Sequence, residues 1–395
     1  KKERTIMIMG FLLFLLLLFL GILFAIEPWK TVTANARAPQ GSPSSPICED
    51  HTNIVDNCIC RLELPTVLPS QVSVQRQSML EYLLSNNLVS DDIAQEFLAN
   101  ERSCSTYNQA LLFASDLSFT DSIEIDDLQI TLLQRYVLAL VYQNLQGRQW
   151  LQGQDTWVQA SQSECKWKGV VCSSTSGQIL KLLLGSNQLQ GHFPSELALL
   201  PSLKHLDLSH NPSLFGTFPL KWTTSSKWQF LDLSSTGLYG TIPKRLSRMQ
   251  GLYELKISDT RWEGTIPMQL GFMTQLRSLD LSHNSLSGTI PDGSWRTLRR
   301  LHTLDLSDNS LTGSLPTSWN MPNLESLKLN HNELTEWIPD PPYGSFLQNL
   351  ELQPISAKVV PSSYCTNLPL LDTLRVVCEN SEEEKQCRCC TCWRG

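Results

Sequence analysis

Between Cys172 and Cys365 the 395-residue chain has no cysteine. Its cysteines stand at the two ends instead: Cys48, Cys58, Cys60, Cys104, Cys165 and Cys172 before the gap, and Cys365, Cys378, Cys387, Cys389, Cys390 and Cys392 after it. That distribution argues against scattered core thiols, and even numbers at both ends suggest disulfide staples formed in an oxidising compartment. Other absences narrow the function. There is no phosphate-cradling glycine loop, no kinase signature and no His-Glu-x-x-His pair. No glycosylation sequon has a permitted middle residue, since Asn211-Pro212-Ser213 is blocked by its proline, but secretion does not require one. Charged residues are 17% of the chain and the net charge is −7, without the basic excess that nucleic-acid binding demands.

What is present begins with an apolar run. Residues 6–26 carry no charge and no proline. At about 1.5 Å per helical residue the run spans roughly 30 Å, the thickness of a bilayer's hydrocarbon core. Lys1, Lys2 and Arg4 precede it, which favours a short cytosolic stub at 1–5 and a translocated C-terminal body. The expectation is a signal anchor. A cleaved signal peptide is the rival, with small residues near Ala36, but the run is long for such a segment. Residues 27–47, rich in Pro, Ser, Ala and Thr, predict a flexible stalk. In the Cys-flanked segment 48–104, Met79, Leu80, Leu83 and Leu84 form a helical stripe, read as packing against its neighbours. A further helix runs toward Gly147, with Asp126 or Asp127 as its cap.

From Ile179 a pattern recurs, clearest in "LRSLDLSHNSLSGTIP" and "LHTLDLSDNSLTGSLP". The first apolar position of each unit falls at Ile179, Leu203, Trp228, Leu252, Leu276, Leu301, Leu324 and Leu347, steps of 23 to 25 residues. A partial unit follows at Leu371, Leu374 and Val376. Positions four and six alternate as in a short strand, so a single unit cannot bury them, whereas stacked units build one apolar column. Position nine is Asn187, Asn211, Asn284, Asn309 and Asn332, with Thr236 and Thr260 substituting. A buried amide there can satisfy the backbone of adjacent turns; a hydroxyl does only part of that, so those two repeats should be locally weaker.

With this period and consensus the units resemble leucine-rich repeats, and the "LxGxIP" continuation, as in Leu238 to Pro243, resembles the plant-type subclass found in receptor-kinase ectodomains and secreted inhibitors. "CKWKGVVC" resembles that subclass's N-terminal cap, which implies a Cys165–Cys172 disulfide, and residues 132–150 are similar to its cap helix. The N-terminal anchor, this cap and the ending "CRCCTC" together look most like the leucine-rich-repeat proteins of diatoms. Glu336 replaces the usual glycine of the seventh repeat and the eighth lacks the Asn, as terminal repeats often do. The implied fold is a curved α/β solenoid: an N-terminal cap over 105–178, about eight repeats over 179–355, and a Cys-rich C-terminal cap and tail over 356–395.

Chemistry is hard to find in it. Asp207, Ser209, His210, Asp280, Ser282 and His283 occupy consensus slots, and no strained turn exposes a nucleophile. His210, His283 and His331 share position eight, but strands about 4.8 Å apart put them roughly 10–14 Å from one another, too far for one metal. "CRCCTC" is too tightly spaced for common zinc patterns; Cys365 with Cys378 is one candidate pair, though order alone does not fix pairing. Position five carries Leu183, Asp207, Asp232, Lys256, Asp280, Asp305, Lys328, Glu351 and Arg375, read as a self-neutralising surface ladder. Phe230, Tyr253, Lys256 and Arg277 depart from the consensus on adjacent strands and form the candidate ligand-binding cluster; Trp228 and Trp262 occupy inward slots. The expected function is non-enzymatic: a membrane-anchored, extracytosolic, receptor-like protein binding a protein, peptide or glycan, with a possible co-receptor and no cofactor, metal or nucleic acid. A secreted inhibitor or an adhesive surface component is the alternative.

Overall fold

A computed structural model describes residues 69–99, 105–115, 125–159, 161–316, 319, 321–336, 346–352, 373–377 and 391–393. The apolar run at 6–26, the stalk, and Cys365 and Cys378 lie outside the described residues. Among the described residues no helix is long and apolar enough to cross a membrane.

Among the described residues four α-helices precede the repeats: α1 (Pro69–Ser85), α2 (Asp91–Ala99), α3 (Thr106–Ala114) and α4 (Ile125–Asn144). The stripe on α1 points inward as its spacing predicts, with Met79, Leu80 and Leu83 at most 2% exposed. Ser105 caps α3, its side chain accepting from the Asn108 N–H. The positions predicted as caps fall inside α4 instead: the helix begins at Ile125, which puts Asp126 and Asp127 in its first turn. Nor does α4 reach Gly147. It ends at Asn144, Gln146 adopts the left-handed conformation (φ 54°), and a 3₁₀ turn follows over Gly147–Gln149. Glycine is needed at 147 for another reason, because a Cβ there would meet the Tyr142 ring at 2.1 Å. A Cys165–Cys172 disulfide closes the next segment.

The repeats then build two parallel arrays. The main sheet has 11 strands. It opens with an antiparallel pair, β1 (Val170–Cys172) on β2 (Ile179–Leu183). It then runs parallel through β4 (His205–Asp207), β6 (Phe230–Asp232), β8 (Glu254–Lys256), β10 (Ser278–Asp280), β12 (Thr303–Asp305), β14 (Ser326–Lys328), β16 (Asn349–Leu352), β17 (Thr373–Val377) and β18 (Thr391–Trp393). A second, seven-stranded sheet is formed by the "LxGxIP" segments: β3 (Gly191–His192), β5 (Asn211–Gly216), β7 (Thr236–Thr241), β9 (Arg261–Thr265), β11 (Ser285–Thr289), β13 (Ser310–Ser314) and β15 (Glu333–Glu336). Short 3₁₀ turns after the proline of that motif return the chain to the main sheet.

The leucine column expected from the period is present. Leu206, Leu231, Leu255 and Leu279 pair in register across β4, β6, β8 and β10 and are at most 1% exposed. Trp228 and Trp262 point inward and are fully buried, and Trp222, Trp295 and Trp319 join them in the core. The asparagines of position nine bridge successive turns. The Asn309 amide donates to Leu281 O of the preceding turn and to Leu306 O and Ser307 O of its own, while its oxygen accepts from Leu286 N. Where threonine stands instead, the bridge changes. Thr236 Oγ1 donates only to Leu233 O in its own turn, whereas Thr260 Oγ1 donates to Asn284 Oδ1 of the next. Position eight, whose occupants include His210, Ser235, Asp259, His283, Asp308 and His331, is held at φ 52–55° in each of these. Its residues therefore share a left-handed backbone rather than a side-chain chemistry.

Candidate functional site

The strands β4, β6, β8 and β10 each bury their middle side chain and leave the outer two half-exposed, which lays two columns along one face. In the first column Lys181, His205, Phe230, Glu254, Ser278 and Thr303 stand in register. In the second, Asp207, Asp232, Lys256, Asp280, Asp305, Lys328 and Glu351 do so.

Three of the four residues singled out from the sequence meet here. Phe230 lies between His205 and Glu254. Its ring stacks on His205 with centroids 6.1 Å apart, and the Lys256 ammonium sits 5.6 Å from its centroid. The Tyr253 hydroxyl is 2.9 Å from His205 Nε2. Arg277 is one strand further on; its N–H donates to Tyr253 O at 2.7 Å and its side chain is exposed. His205 and Glu254 belong to the same group but were not foreseen. The register would have found them, since the residues one strand to either side of Phe230 are fixed by the repeat period.

The electrostatics of the group are partly self-contained. Burial, then the charges of Lys181 and Lys204, push His205 below its ordinary value, against the opposing pull of Glu254. Its Nδ1 is buried without a partner, consistent with a neutral ring. Burial alone would lower Lys256, but the hydrogen bond and charge of Glu254, with the charges of Asp232 and Asp280, outweigh it and hold it above the usual lysine value. The ladder expectation is corrected here: Lys256 Nζ bonds Glu254 Oε1 at 2.6 Å along its own strand, not the flanking aspartates. Lys328 does pair across strands, 3.4 Å from Asp305 Oδ2.

The aspartates of this column have a local task that the sequence left unread. Asp207 Oδ1 accepts from Ser209 N at 2.9 Å and Ser209 Oγ at 2.7 Å, and Asp280 with Ser282 and Asp305 with Ser307 repeat the arrangement. Asp and Ser are thereby committed to each other at the end of the strand. Among the described residues no three His, Cys, Asp or Glu could hold a metal ion. Asp308 does stand between two of the position-eight histidines, 3.5 Å from His283 Nε2 and 2.8 Å from His331 Nδ1, as a carboxylate bridge along the solenoid edge. Lys227 is perturbed for reasons of packing: burial brings it down to about 8, and its ammonium donates to Ala198 O and Leu200 O beneath the Trp228 ring.

Comparison with known proteins agrees with the repeat architecture. A leucine-rich-repeat family model matches residues 274–334. The chain is 51% identical over 53 residues to receptor-like protein 9DC1 of Solanum pimpinellifolium, covering 13% of this chain and 6% of that protein. It is 36% identical over 84 residues to polygalacturonase inhibitor 1 of Oryza sativa subsp. japonica, covering 21% of this chain and 25% of the inhibitor. Among solved structures, the PEPR1–AtPEP1 complex is similar with a TM-score of 0.47 and 27% identity, over 60% of this chain and 38% of that one. The matched stretches thus span a quarter or less of the two curated relatives' own length.

Proposed function

We propose that this chain, a leucine-rich-repeat protein of the plant type, is a non-catalytic recognition protein that binds a protein or peptide partner on the open face of its main sheet. The observation that carries the reading is the group His205, Phe230, Tyr253, Lys256 and Arg277 on neighbouring strands. Aromatic and arginine side chains are those on which interface energy concentrates, and here Phe230 and Tyr253 each pack against His205 on a rigid sheet, with Arg277 exposed beside them. Tyr253 and Phe230 have few rotatable bonds to freeze on binding. The neighbours' printed names support a protein or peptide partner: one is a receptor-like protein, another an inhibitor of a polygalacturonase, and a third is described in complex with AtPEP1. A glycan partner is the looser alternative. We also propose receptor-like anchoring through residues 6–26, with the solenoid outside the cytosol and signalling left to a co-receptor.

The inhibitor likeness favours one second reading, a secreted inhibitor freed by signal cleavage. The two differ at the N-terminus of the mature protein. Sequencing that begins near Arg37 supports secretion; retention of residues 6–26 in a membrane fraction supports the anchor.

The site itself is tested by capture. The full chain and its Tyr253→Ala, Lys256→Ala, Arg277→Ala variant are immobilised and exposed to extracellular and membrane extracts of the source cells. At least one partner held by the parent is expected to bind the variant tenfold or more weakly, about 1.4 kcal/mol or greater. Equal capture of every partner removes the site.

A further inference from the structure

The 3₁₀ turns on the side away from the main sheet carry a second surface. Leu220–Thr224, Lys244–Arg248 and Met268–Phe272 each follow a proline and pack on one another in series. The third residue of each turn, Trp222, Leu246 and Leu270, is buried in the core. The first and fifth are therefore turned outward. In the first position stand Leu220, Lys244 and Met268; in the fifth, Thr224, Arg248 and Phe272. Leu220, Met268 and Phe272 are 47%, 53% and 51% exposed, so three large apolar side chains project from adjacent turns. Lys244 thus lies between two exposed apolar ends in one row, and Arg248 beside a third in the other.

The charge of this surface is one-signed. Residues 217–231, 236–253 and 264–279 contain no Asp or Glu, whereas Lys221, Lys244, Arg245 and Arg248 are all exposed there. None of the ion pairs formed among the described residues engages them. The carboxylates of these repeats sit elsewhere: Asp207, Asp232, Glu254 and Asp280 on the main sheet, Asp259 in the turn that follows it and Glu263 on the second sheet. Lys221, Lys244, Arg245 and Arg248 thus form a cationic cluster on this flank of a chain whose net charge is −7, among protruding apolar side chains.

We infer that this flank docks on the surface of an anionic lipid bilayer. Cations drawn to acidic headgroups, with apolar ends entering the headgroup–acyl boundary, are the two contributions such binding uses. A soluble polyanion would satisfy the cations but leave Leu220, Met268 and Phe272 in water, so the lipid surface is the occupant that accounts for both. The inference stands apart from the proposed recognition site, which lies on the other face and stays open when this one is covered.

Hydrogen exchange of the full chain reads the contact locally, apart from any attachment through other segments. Amides of residues 244–248 and 268–272 are expected to gain protection with vesicles of phosphatidylcholine and phosphatidylserine, not with phosphatidylcholine alone, and to lose the gain as salt is raised. A basic residue near such a surface is worth about fivefold, so Lys244→Glu, Arg245→Glu, Arg248→Glu should weaken the vesicle dependence on the order of 100-fold or more. Leu220→Ser, Met268→Ser, Phe272→Ser should weaken it with the charges intact. Unaltered exchange in β6, β8 and β10 certifies that each variant is folded. Equal protection by both kinds of vesicle, insensitivity of the parent protein to salt, or protection by polygalacturonate at least as strong as by acidic vesicles each overturns the inference.

Discussion

Asn211→Ala is expected to destabilise the solenoid by roughly 4–6 kcal/mol, among the largest effects of any single substitution outside the leucine column. The Asn211 side chain is fully buried and serves two successive turns at once. Its amide donates to Leu184 O at 3.0 Å, Leu208 O at 2.9 Å and Ser209 O at 3.0 Å, and its oxygen accepts from Asn187 N at 3.0 Å and Leu189 N at 2.9 Å. Alanine leaves those backbone groups buried and short of a partner, at about 1 kcal/mol or more for each. The comparison that isolates the cause is Thr236→Ala, in the same slot one turn later. Only the bond from Thr236 Oγ1 to Leu233 O is lost there, so about 1 kcal/mol is expected. Because a repeat array can open locally, amide exchange at Asn187 and Leu189 is a better measure than a single melting temperature. If the two substitutions cost the same within about 1 kcal/mol, the asparagine bridge is not what ties the turns together.

The slots where threonine replaces asparagine were legible in the sequence as weak points, but not their difference. Thr236 bonds only within its own turn, while Thr260 lends its hydroxyl forward to Asn284 of the next, so neither ties its turn back to the preceding one as an asparagine does. The choice depends on which rotamer the packing selects, and a residue type does not carry that. The period, the leucine column and the inward tryptophans were legible because burial repeats with the chain's own spacing. At position eight, His210, His283 and His331 look like a ligand set, and the strand spacing alone removed that reading without saying what the position does. What recurs there is a positive φ, shared with Ser235 and Asp259, which have little else in common with histidine.

The candidate site was half legible for a related reason. Phe230, Tyr253 and Lys256 announce themselves by departing from a consensus. His205 and Glu254 do not, and only the strand register puts them against Phe230. Lys256 also shows that register does not decide pairing: Asp232 and Asp280 flank it, yet Glu254 takes the ammonium. The basic turns were hidden by arithmetic. A net charge of −7 summed over the chain hides the cluster of Lys221, Lys244, Arg245 and Arg248, which emerges only when the repeat is folded into sides.

The other large effect is expected at the junction of the helices with the first repeat, where a charge on α4 is buried among apolar side chains. Arg135 on α4 is fully buried; its guanidinium lies 4.6 Å from the Phe113 ring centroid, donates to Gln162 O at 3.1 Å, and stands 3.7 Å from Glu164 Oε2. Beside it, Gln134 donates to Glu164 Oε1 at 3.2 Å and accepts from Ile179 N, the first residue of β2, at 2.7 Å. Glu164→Leu removes a buried counter-charge from beside the guanidinium and should cost about 3–5 kcal/mol. Adding Arg135→Met to that variant should recover most of the loss, because two dehydrated charges are then replaced by apolar side chains of similar bulk. The pair therefore predicts strong non-additivity, a coupling of roughly 2 kcal/mol or more in a double-mutant cycle. It also predicts a pH dependence. Burial raises the Glu164 carboxyl above its ordinary value of 4.5, and Arg135, with the hydrogen bonds to the carboxylate, only partly offsets this. The folded state thus holds the proton longer than the unfolded one, so this group's contribution is full below about 4.5 and is lost as pH rises through the raised value. Glu164→Gln should flatten that slope while keeping an acceptor for Gln134. Additive single losses, or a slope unchanged by Glu164→Gln, would show that the junction is held by the disulfide and the apolar contacts alone.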